Sequence, residues 1–380
     1  MYESLKKRFT DQFGTKPGFV FSAPGRTEIG GNHTDHQHGC VLAGAVNLDT
    51  VAAVARSERG AIRVLSEGYP LCEVSLSELE AVPAEAGTTK ALIRGIAARF
   101  AALGHAPVAF DAYVTSTVLP GSGLSSSAAF EVLIGVILNH LGSCGLTAPE
   151  IAQVGQYAEN VYFGKPCGLM DQLASSTGGL VFMDFRDPAA PLVRRLDAAL
   201  PGYALCVVDS GADHAGLTDA YAAIPRELGA VCRLFGAEVL RQVEEAEFYR
   251  RLPEVRRAAG DRAVLRAIHV FDENRRVLGQ VQALENGDTE GFLALVNDSG
   301  RSSWEYLQNI APEGAAGHQE LAVTLALCRR LLRGRGAARV HGGGFAGTAL
   351  CMVPEADYPA FRAELETLLA PDCCHRLQIV

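Results

Sequence analysis

Tryptophan occurs once and methionine four times in this chain of 380 residues. No stretch of roughly 18 uninterrupted apolar residues is found, so a membrane-spanning helix is not expected. The opening residues, Met-Tyr-Glu-Ser-Leu-Lys-Lys-Arg, lack the apolar core of a secretory leader. Basic blocks are missing too. With 34 Lys and Arg against 43 Asp and Glu the net charge is −9, so neither nucleic acid nor a membrane surface is an expected partner. The ten cysteines form no Cys-x-x-Cys pair, and only Cys373 and Cys374 adjoin. In a leaderless chain this excludes a disulfide framework and points to reduced thiols in the cytoplasm, with Cys167 a packing residue. Apolar residues are abundant, at 48% of the chain, and the length suits about two domains.

Glycine is plentiful and concentrated at particular places. Residues 119–131 read Leu-Pro-Gly-Ser-Gly-Leu-Ser-Ser-Ser-Ala-Ala-Phe-Glu, and the apolar run over 128–141 predicts a buried helix that stops before Gly142. Gly121 and Gly123 permit a tight turn and close approach of a ligand. The loop Gly121, Ser122, Gly123, Leu124, Ser125, Ser126 and Ser127 feeds a helix N-terminus, where unpaired N–H groups and the helix dipole favour an anion. Its hydroxyls suit phosphate oxygens or a magnesium ion. The loop therefore points to nucleotide phosphate handling, with a plain Gly/Ser helix cap as the alternative. It holds no Gly-Lys-Ser/Thr triple.

Residues 23–39 read Ala-Pro-Gly-Arg-Thr-Glu-Ile-Gly-Gly-Asn-His-Thr-Asp-His-Gln-His-Gly, between a strand-like 18–22 and an apolar 41–48. Arg26, Glu28, Asn32, His33, Asp35 and His36, set among glycines, make a poor core and a good reader of vicinal hydroxyls. A solvated polar turn is the competing reading. His33, His36 and His38 lack a spaced fourth ligand for zinc. Residues 164–172, Gly-Lys-Pro-Cys-Gly-Leu-Met-Asp-Gln, put the carboxylate of Asp171 after a glycine-broken turn, where taken alone it reads as a helix N-cap. Residues 337–353 predict strand, glycine loop, strand. Three consecutive glycines before Phe345 imply close backbone packing against another loop.

Together these four segments resemble the galactokinase family, within the GHMP small-molecule kinase superfamily that includes homoserine, mevalonate and phosphomevalonate kinases. Pro24-Gly25-Arg26 with Gly31-Asn32-His33-Thr34-Asp35 is similar to the family's sugar signature. The run 119–128 looks like the superfamily phosphate loop, 167–172 like the segment with the catalytic Asp, and 341–345 like the third superfamily motif. With weaker similarity over 269–288, the resemblance spans nearly the whole chain. It implies an α+β, two-domain GHMP-kinase-like fold with the active site in the cleft between domains. The nucleotide- and sugar-binding kinase domain would cover 1–200 and the C-terminal GHMP kinase domain 201–380.

The resemblance also implies the chemistry, ATP-dependent phosphorylation of the anomeric hydroxyl of galactose to give galactose 1-phosphate. ATP phosphates would lie on the amides of 121–127, with Ser126 coordinating Mg2+ and Glu159 the second magnesium-side residue. Asp171 would accept the sugar proton, and Arg26 beside it would keep Asp171 ionised and counter charge on the phosphoryl group. Asn32, His33, Asp35, Gly168 and Tyr221 would contact the sugar, although Tyr221 also reads as a buried helix residue. Two positions depart from the family pattern. Asn32 stands where an acidic residue is usual, so a neutral amide would meet the 6-position of the sugar, and His36 stands where Tyr is usual. The preferred sugar is thereby left open between galactose and N-acetylgalactosamine, L-arabinose or galacturonate. A non-catalytic sugar sensor is disfavoured, because Arg26, Asp171 and the phosphate loop are all in place. A monomer or weak homo-oligomer is expected.

Alternation predicts strands over 51–56, 62–65, 109–114, 180–184, 205–209 and 349–353. Helical periodicity marks 3–13, 92–103, 151–163, 221–234, 274–285, 289–298 and 318–332. Their irregular mixture favours α+β over a doubly wound sheet. Residues 81–89 predict a loop and 189–201 a crossover between domains.

Overall fold

The computed structural model describes residues 2–118, 121–198, 200–212 and 216–380. Leu119 and Pro120, at the head of the glycine loop, lie outside the described residues. Two compact units are built from interleaved segments. One takes Met1–Arg26, Ala45–Pro120 and Leu124–Gly178; the other takes Thr27–Gly44, Gly121–Gly123 and Gly179–Val380.

The chain begins with helix α1 (Tyr2–Phe13) and strands β1 (Phe19–Gly30), β2 (Cys40–Arg56), β3 (Ala61–Ser66) and β4 (Cys72–Ser75). Helix α2 (Thr89–Ala102), strand β5 (Phe110–Ser116) and helices α3 (Ser126–Gly142), α4 (Ala148–Tyr157) and α5 (Met170–Thr177) follow. In the first unit β5 lies parallel to β3 and antiparallel to the second half of β2. A parallel pair needs a crossover connection, and α2 lies within it. The two-residue period of β2 sends Ala52 and Val54 to one face, where they join Ile62, Ile93, Phe100, Phe110, Leu133 and Ile137. Val51 and Ala53 take the other face with Leu5 and Phe9 of α1. Cover on both faces is why β2 reads as a nearly unbroken apolar run. Each fully buried Leu, Ile or Phe here contributes about 1.5–3 kcal/mol.

The helix expected over 151–163 is α4 followed by a π-helical turn, Ala158–Phe163, that ends at Gly164 with φ +84°. Such widened turns are rare and often sit at functional sites. This one carries Glu159.

In the second unit, β6 (Leu180–Asp184) pairs antiparallel with the first residues of β2, Cys40 opposite Asp184, and with β7 (Leu192–Leu196). Then come β8 (Tyr203–Asp209) and helices α6 (Thr218–Arg233), α7 (Glu245–Arg250), α8 (Leu252–Ala259), α9 (Asp261–Glu285), α10 (Thr289–Ser302) and α11 (Glu320–Leu332). Strands β9 (Ala337–Val340) and β10 (Thr348–Pro354), helix α12 (Tyr358–Leu368) and strand β11 (Cys374–Leu377) complete the chain. The antiparallel sheet β11-β8-β10-β9 packs one face on α11 and α12 through Val208, Cys351, Leu325 and Leu365. A separate helical core gathers Ile224, Phe248, Val270 and Phe271.

Two expectations differ here. Helix α9 begins at Asp261, not near 274, because Arg266, His269 and Glu273 are buried polar residues that interrupt the apolar period without interrupting the helix. The crossover at 189–201 contains β7, a short strand whose Arg194 and Arg195 are both exposed, so no alternation marks it.

Candidate active site

In the first unit the site is assembled around a close backbone approach. A Cβ on Gly25 would stand 2.9 Å from Leu124 O and 3.0 Å from the Val118 side chain, so only glycine lets β1 pass there. Leu124 O accepts the Arg26 N–H at 3.0 Å. Arg26, 5% exposed, then directs its guanidinium at Asp171, Nε to Oδ1 at 2.7 Å. Asp171 is the second residue of α5, where the helix dipole favours negative charge. Ser175, one turn later, donates to Pro24 O at 2.6 Å and ties α5 to β1. Ser125, held at φ +56° before the first turn of α3, donates to the other oxygen, Asp171 Oδ2.

Burial works against the charge of Asp171. The positive charge and hydrogen bond of Arg26, with the Ser125 hydroxyl, nevertheless hold its carboxyl below the usual carboxylate range. Asp171 is thus ionised at neutral pH, and its side chain remains 32% exposed. The result is an anionic proton acceptor that a solute can reach.

The other predicted residues of this unit sit nearby in sequence but differ in their contacts. Ser126 and Ser127 open α3, the first half-buried and the second exposed. Gly168 lies in the turn before α5, also half-buried. Glu159, 4% exposed, accepts from Gln172 Nε2 at 3.0 Å and faces Lys165 Nζ at 3.5 Å. Gln172 Nε2 donates equally to Glu131 Oε2 at 2.9 Å. Arg26, Ser125 and Asp171 are therefore in direct contact, whereas Glu159 is engaged by Gln172 and Lys165.

The Ser126 hydroxyl and the Glu159 carboxylate are hard oxygen donors, the type magnesium selects. Among the described residues no three His, Cys, Asp or Glu side chains cluster to hold a metal. The donor set fits a cation that takes its remaining ligands from phosphate and water, as magnesium does at nucleotides.

In the second unit, three predicted residues converge on the glycine loop 342–344. Asn32 is fully buried and uses its amide four times. Nδ2 donates to Glu28 Oε1 at 3.1 Å and to Gly342 O at 2.6 Å, while Oδ1 accepts from Ser303 at 3.2 Å and Asn309 at 2.9 Å. An asparagine has no capacity beyond that. The structure thus differs from the expectation of an amide turned towards a ligand: Asn32 ties the end of β1 to the glycine loop. Its N–H and that of Gly31 both donate to the buried Glu273 carboxylate, at 3.3 and 3.0 Å.

His33 ends a directional chain of hydrogen bonds. Leu240 N–H donates to Gln37 Oε1 at 3.0 Å, and Gln37 Nε2 lies 3.1 Å from His36 Nδ1. His36 Nε2 lies 3.1 Å from His33 Nδ1, and His33 Nε2 lies 3.0 Å from Gly343 O. The amide donor at one end and the carbonyl acceptor at the other assign both tautomers: each ring carries its proton on Nε2. A second proton on His36 would meet the Gln37 amide hydrogens. Burial first, and then the neighbouring His33, hold the His36 pKa down at about 3.

Asp35 accepts the N–H of the next residue, His36, through Oδ1 at 2.8 Å. Tyr221 on α6 donates to Gly344 O at 2.8 Å and meets the Phe345 ring edge-on at 5.4 Å between centroids. Burial pushes its hydroxyl up to about 12, so it stays a donor. A Cβ on Gly343 would stand 2.7 Å from the Tyr221 ring, and one on Gly344 would stand 2.1 Å from Asn309 O. This is the close packing that three glycines imply. In the glycine loop 121–123, Ser122 O accepts from Thr348 Oγ1 at 2.8 Å.

The sequence reading missed Glu131 and Gln172 in the first unit and Glu273, Asn309 and Arg339 in the second. Gln172, Glu131 and Arg339 lie inside the runs 164–172, 119–131 and 337–353 that the sequence singles out, whereas Asn309 lies in none.

Residues 7–56 match the family described as the galactokinase galactose-binding signature, and residues 91–179 match the GHMP kinases N terminal domain. The chain is 33% identical over 372 residues to a galactokinase of Streptomyces coelicolor, spanning 97% of this chain and 92% of that protein. It is 32% identical over 373 residues to a galactokinase of Roseiflexus sp., spanning 95% and 90%. Among solved structures, Lactococcus lactis galactokinase complexed with galactose superposes with TM-score 0.85 at 24% identity, over 100% of this chain and 98% of that one. A mevalonate kinase superposes with TM-score 0.66 at 15% identity, over 95% and 99%. The two superpositions are likenesses of fold.

Proposed function

We propose, for a chain that belongs to the galactokinase family, that Asp171 is the general base and Arg26 the electrostatic partner of phosphoryl transfer. The enzyme phosphorylates galactose with ATP. The observation that supports the assignment is the 2.7 Å contact of Arg26 Nε with Asp171 Oδ1 beside a glycine-fed helix start.

Asp171, ionised at neutral pH, takes the proton of the anomeric hydroxyl as that oxygen attacks the γ-phosphorus of ATP. The products are galactose 1-phosphate and ADP. Arg26 stabilises the charge that gathers on the transferred group, the electrostatic work that dominates phosphoryl transfer. The amides and hydroxyls of Gly121, Ser122, Gly123, Leu124, Ser125, Ser126 and Ser127 receive the ATP phosphates at the α3 N-terminus. Ser126 and Glu159 would hold magnesium, which when bound neutralises charge between the phosphates. His33, Asp35, Gly168 and Tyr221 contact the sugar, and Asn32 acts from behind them by holding the glycine loop. The enzyme works as a monomer or weak homo-oligomer in the cytoplasm, where its ten free thiols stay reduced. No described helix is long and apolar enough to cross a membrane.

A coupled ADP-release assay over galactose, N-acetylgalactosamine, L-arabinose and galacturonate tests this reading. The highest kcat/KM is expected with galactose. A strong preference for a sugar without the 6-hydroxyl, or for the uronic acid, would transfer the assignment to that sugar.

A further inference from the structure

Glu131, on α3, is fully buried and has no part in the mechanism above. Among the described residues no cation pairs with it. Its Oε2 accepts from Gln172 Nε2 at 2.9 Å, while its Oε1 has no partner among them. Gln172 is also fully buried, and its Oε1 likewise has no partner among the described residues. Two orphaned acceptors inside one hydrogen-bonded pair are costly. One proton on Glu131 Oε1, donated to Gln172 Oε1, would satisfy both and turn the pair into an acid–amide pair. Gly155 on α4 makes room for the pair, since a Cβ there would stand 3.2 Å from Gln172 Cγ and 3.2 Å from both Glu131 Cβ and Oε2. The surroundings agree. Burial first and then the Glu159 carboxylate push the Glu131 carboxyl well above the usual range; Asp171 adds to this, and Gln172 and Lys165 oppose it.

We propose that Gln172 is a positioning residue for the magnesium side of the site: locked by Glu131 in an acid–amide pair, it turns its second N–H on Glu159 and sets that carboxylate relative to Asp171, its neighbour on α5. Without the lock the amide is free to turn its oxygen on the Glu159 carboxylate, which repels it. The metal arm of the proposal rests on Glu159 being the magnesium-side residue.

Three measurements test it. In infrared difference spectra of the metal-free protein at neutral pH, wild type against Glu131→Gln, a protonated-carboxyl C=O band is expected in the wild type and lost in the variant. A difference confined to carboxylate bands overturns the acid–amide pair. Calorimetric titration of magnesium into the ATP complex is expected to weaken by about 10–100-fold in Gln172→Met and in Glu131→Leu, with the galactose KM unmoved. Glu131→Gln, which preserves both hydrogen bonds as an amide–amide pair, is expected to restore wild-type affinity. Melting curves confirm that each variant is folded. Unchanged magnesium affinity in a folded Gln172→Met or Glu131→Leu overturns the positioning role, as does a Glu131→Gln no better than Glu131→Leu. Glu159→Gln separates the two readings: if it leaves magnesium affinity intact, the Glu159 assignment fails and takes the metal arm with it, while the infrared band still decides the acid–amide pair.

Discussion

Arg26 and Asp171 lie 145 positions apart in the chain, yet their side chains meet at 2.7 Å within one compact unit. Arg26 holds the Asp171 carboxyl below its usual range against the effect of burial. Only the ionised form accepts a proton, so removing the guanidinium moves protonation to higher pH. Arg26→Gln is expected to shift the acid limb of the kcat/KM profile upward by about one to three pH units, besides lowering the plateau. An acid limb that stays in place would mean that Arg26 does not tune the base.

Asp171→Asn removes the proposed proton acceptor and leaves the 121–127 loop in place. A loss in kcat of about 10²–10⁴-fold is expected, with ATP affinity by calorimetry nearly unchanged. A variant that keeps more than about a tenth of the wild-type kcat takes Asp171 out of the mechanism.

Ser126→Ala deletes one hard oxygen at the start of α3. The magnesium concentration for half-maximal rate should rise and Mg-ATP affinity should fall, while galactose affinity holds. Intact Mg-ATP binding with weakened sugar binding would show that the loop serves the sugar.

Asn32 spends all four of its hydrogen-bonding positions on Glu28, Gly342, Ser303 and Asn309. Asn32→Ala strands those buried partners, and a loss of about 1–3 kcal/mol in unfolding free energy is expected. Asn32→Glu sets a second carboxylate beside Glu28 in a buried site, so a lower Tm is expected rather than sharper selectivity. Wild-type Tm in Asn32→Glu, together with a stronger preference for galactose over L-arabinose, would make position 32 a reader of the sugar.

Acid should destabilise the second unit through the imidazoles of buried His269 and half-buried His36. His269 lies 3.0 Å from Asn32 O through Nε2 and 2.8 Å from the Ser302 hydroxyl through Nδ1, and burial above all lowers its pKa to about 4. His36 is lowered to about 3. The unfolded chain takes up these protons near its ordinary histidine pKa, about 6.5, before the folded one does. Stability is therefore full above that value and falls as pH drops towards 4, by about 1.4 kcal/mol per pH unit for His269. Urea denaturation across this window is expected to show the slope, with His269→Gln flattening it. An equal slope in the variant would place the acid sensitivity elsewhere.

The glycine loop 121–127, the sugar signature and the segment around Asp171 stand out in the sequence because each is a short run in which glycine or a hydroxyl answers a local backbone need. Strands 180–184 and 349–353 and the helix over 128–141 were legible for a related reason: apolar period follows from neighbours a few residues away. Helix α9 shows where this stops, since its buried Arg266, His269 and Glu273 look like surface until their partners are known.

Those partners depend on which backbones the fold lays side by side. Glu273 receives the N–H groups of Gly31 and Asn32 from more than 240 positions away, and Arg339 reaches Glu28 across 311. Polar pairing at such range leaves no periodic mark, because a hydrogen bond requires only that two groups meet. The sequence alone could therefore name the reaction, through short motifs that resemble a family. It was the tertiary structure that turned the Asn32 amide inward, joined Glu131 to Gln172, and drew each compact unit from interleaved stretches of chain.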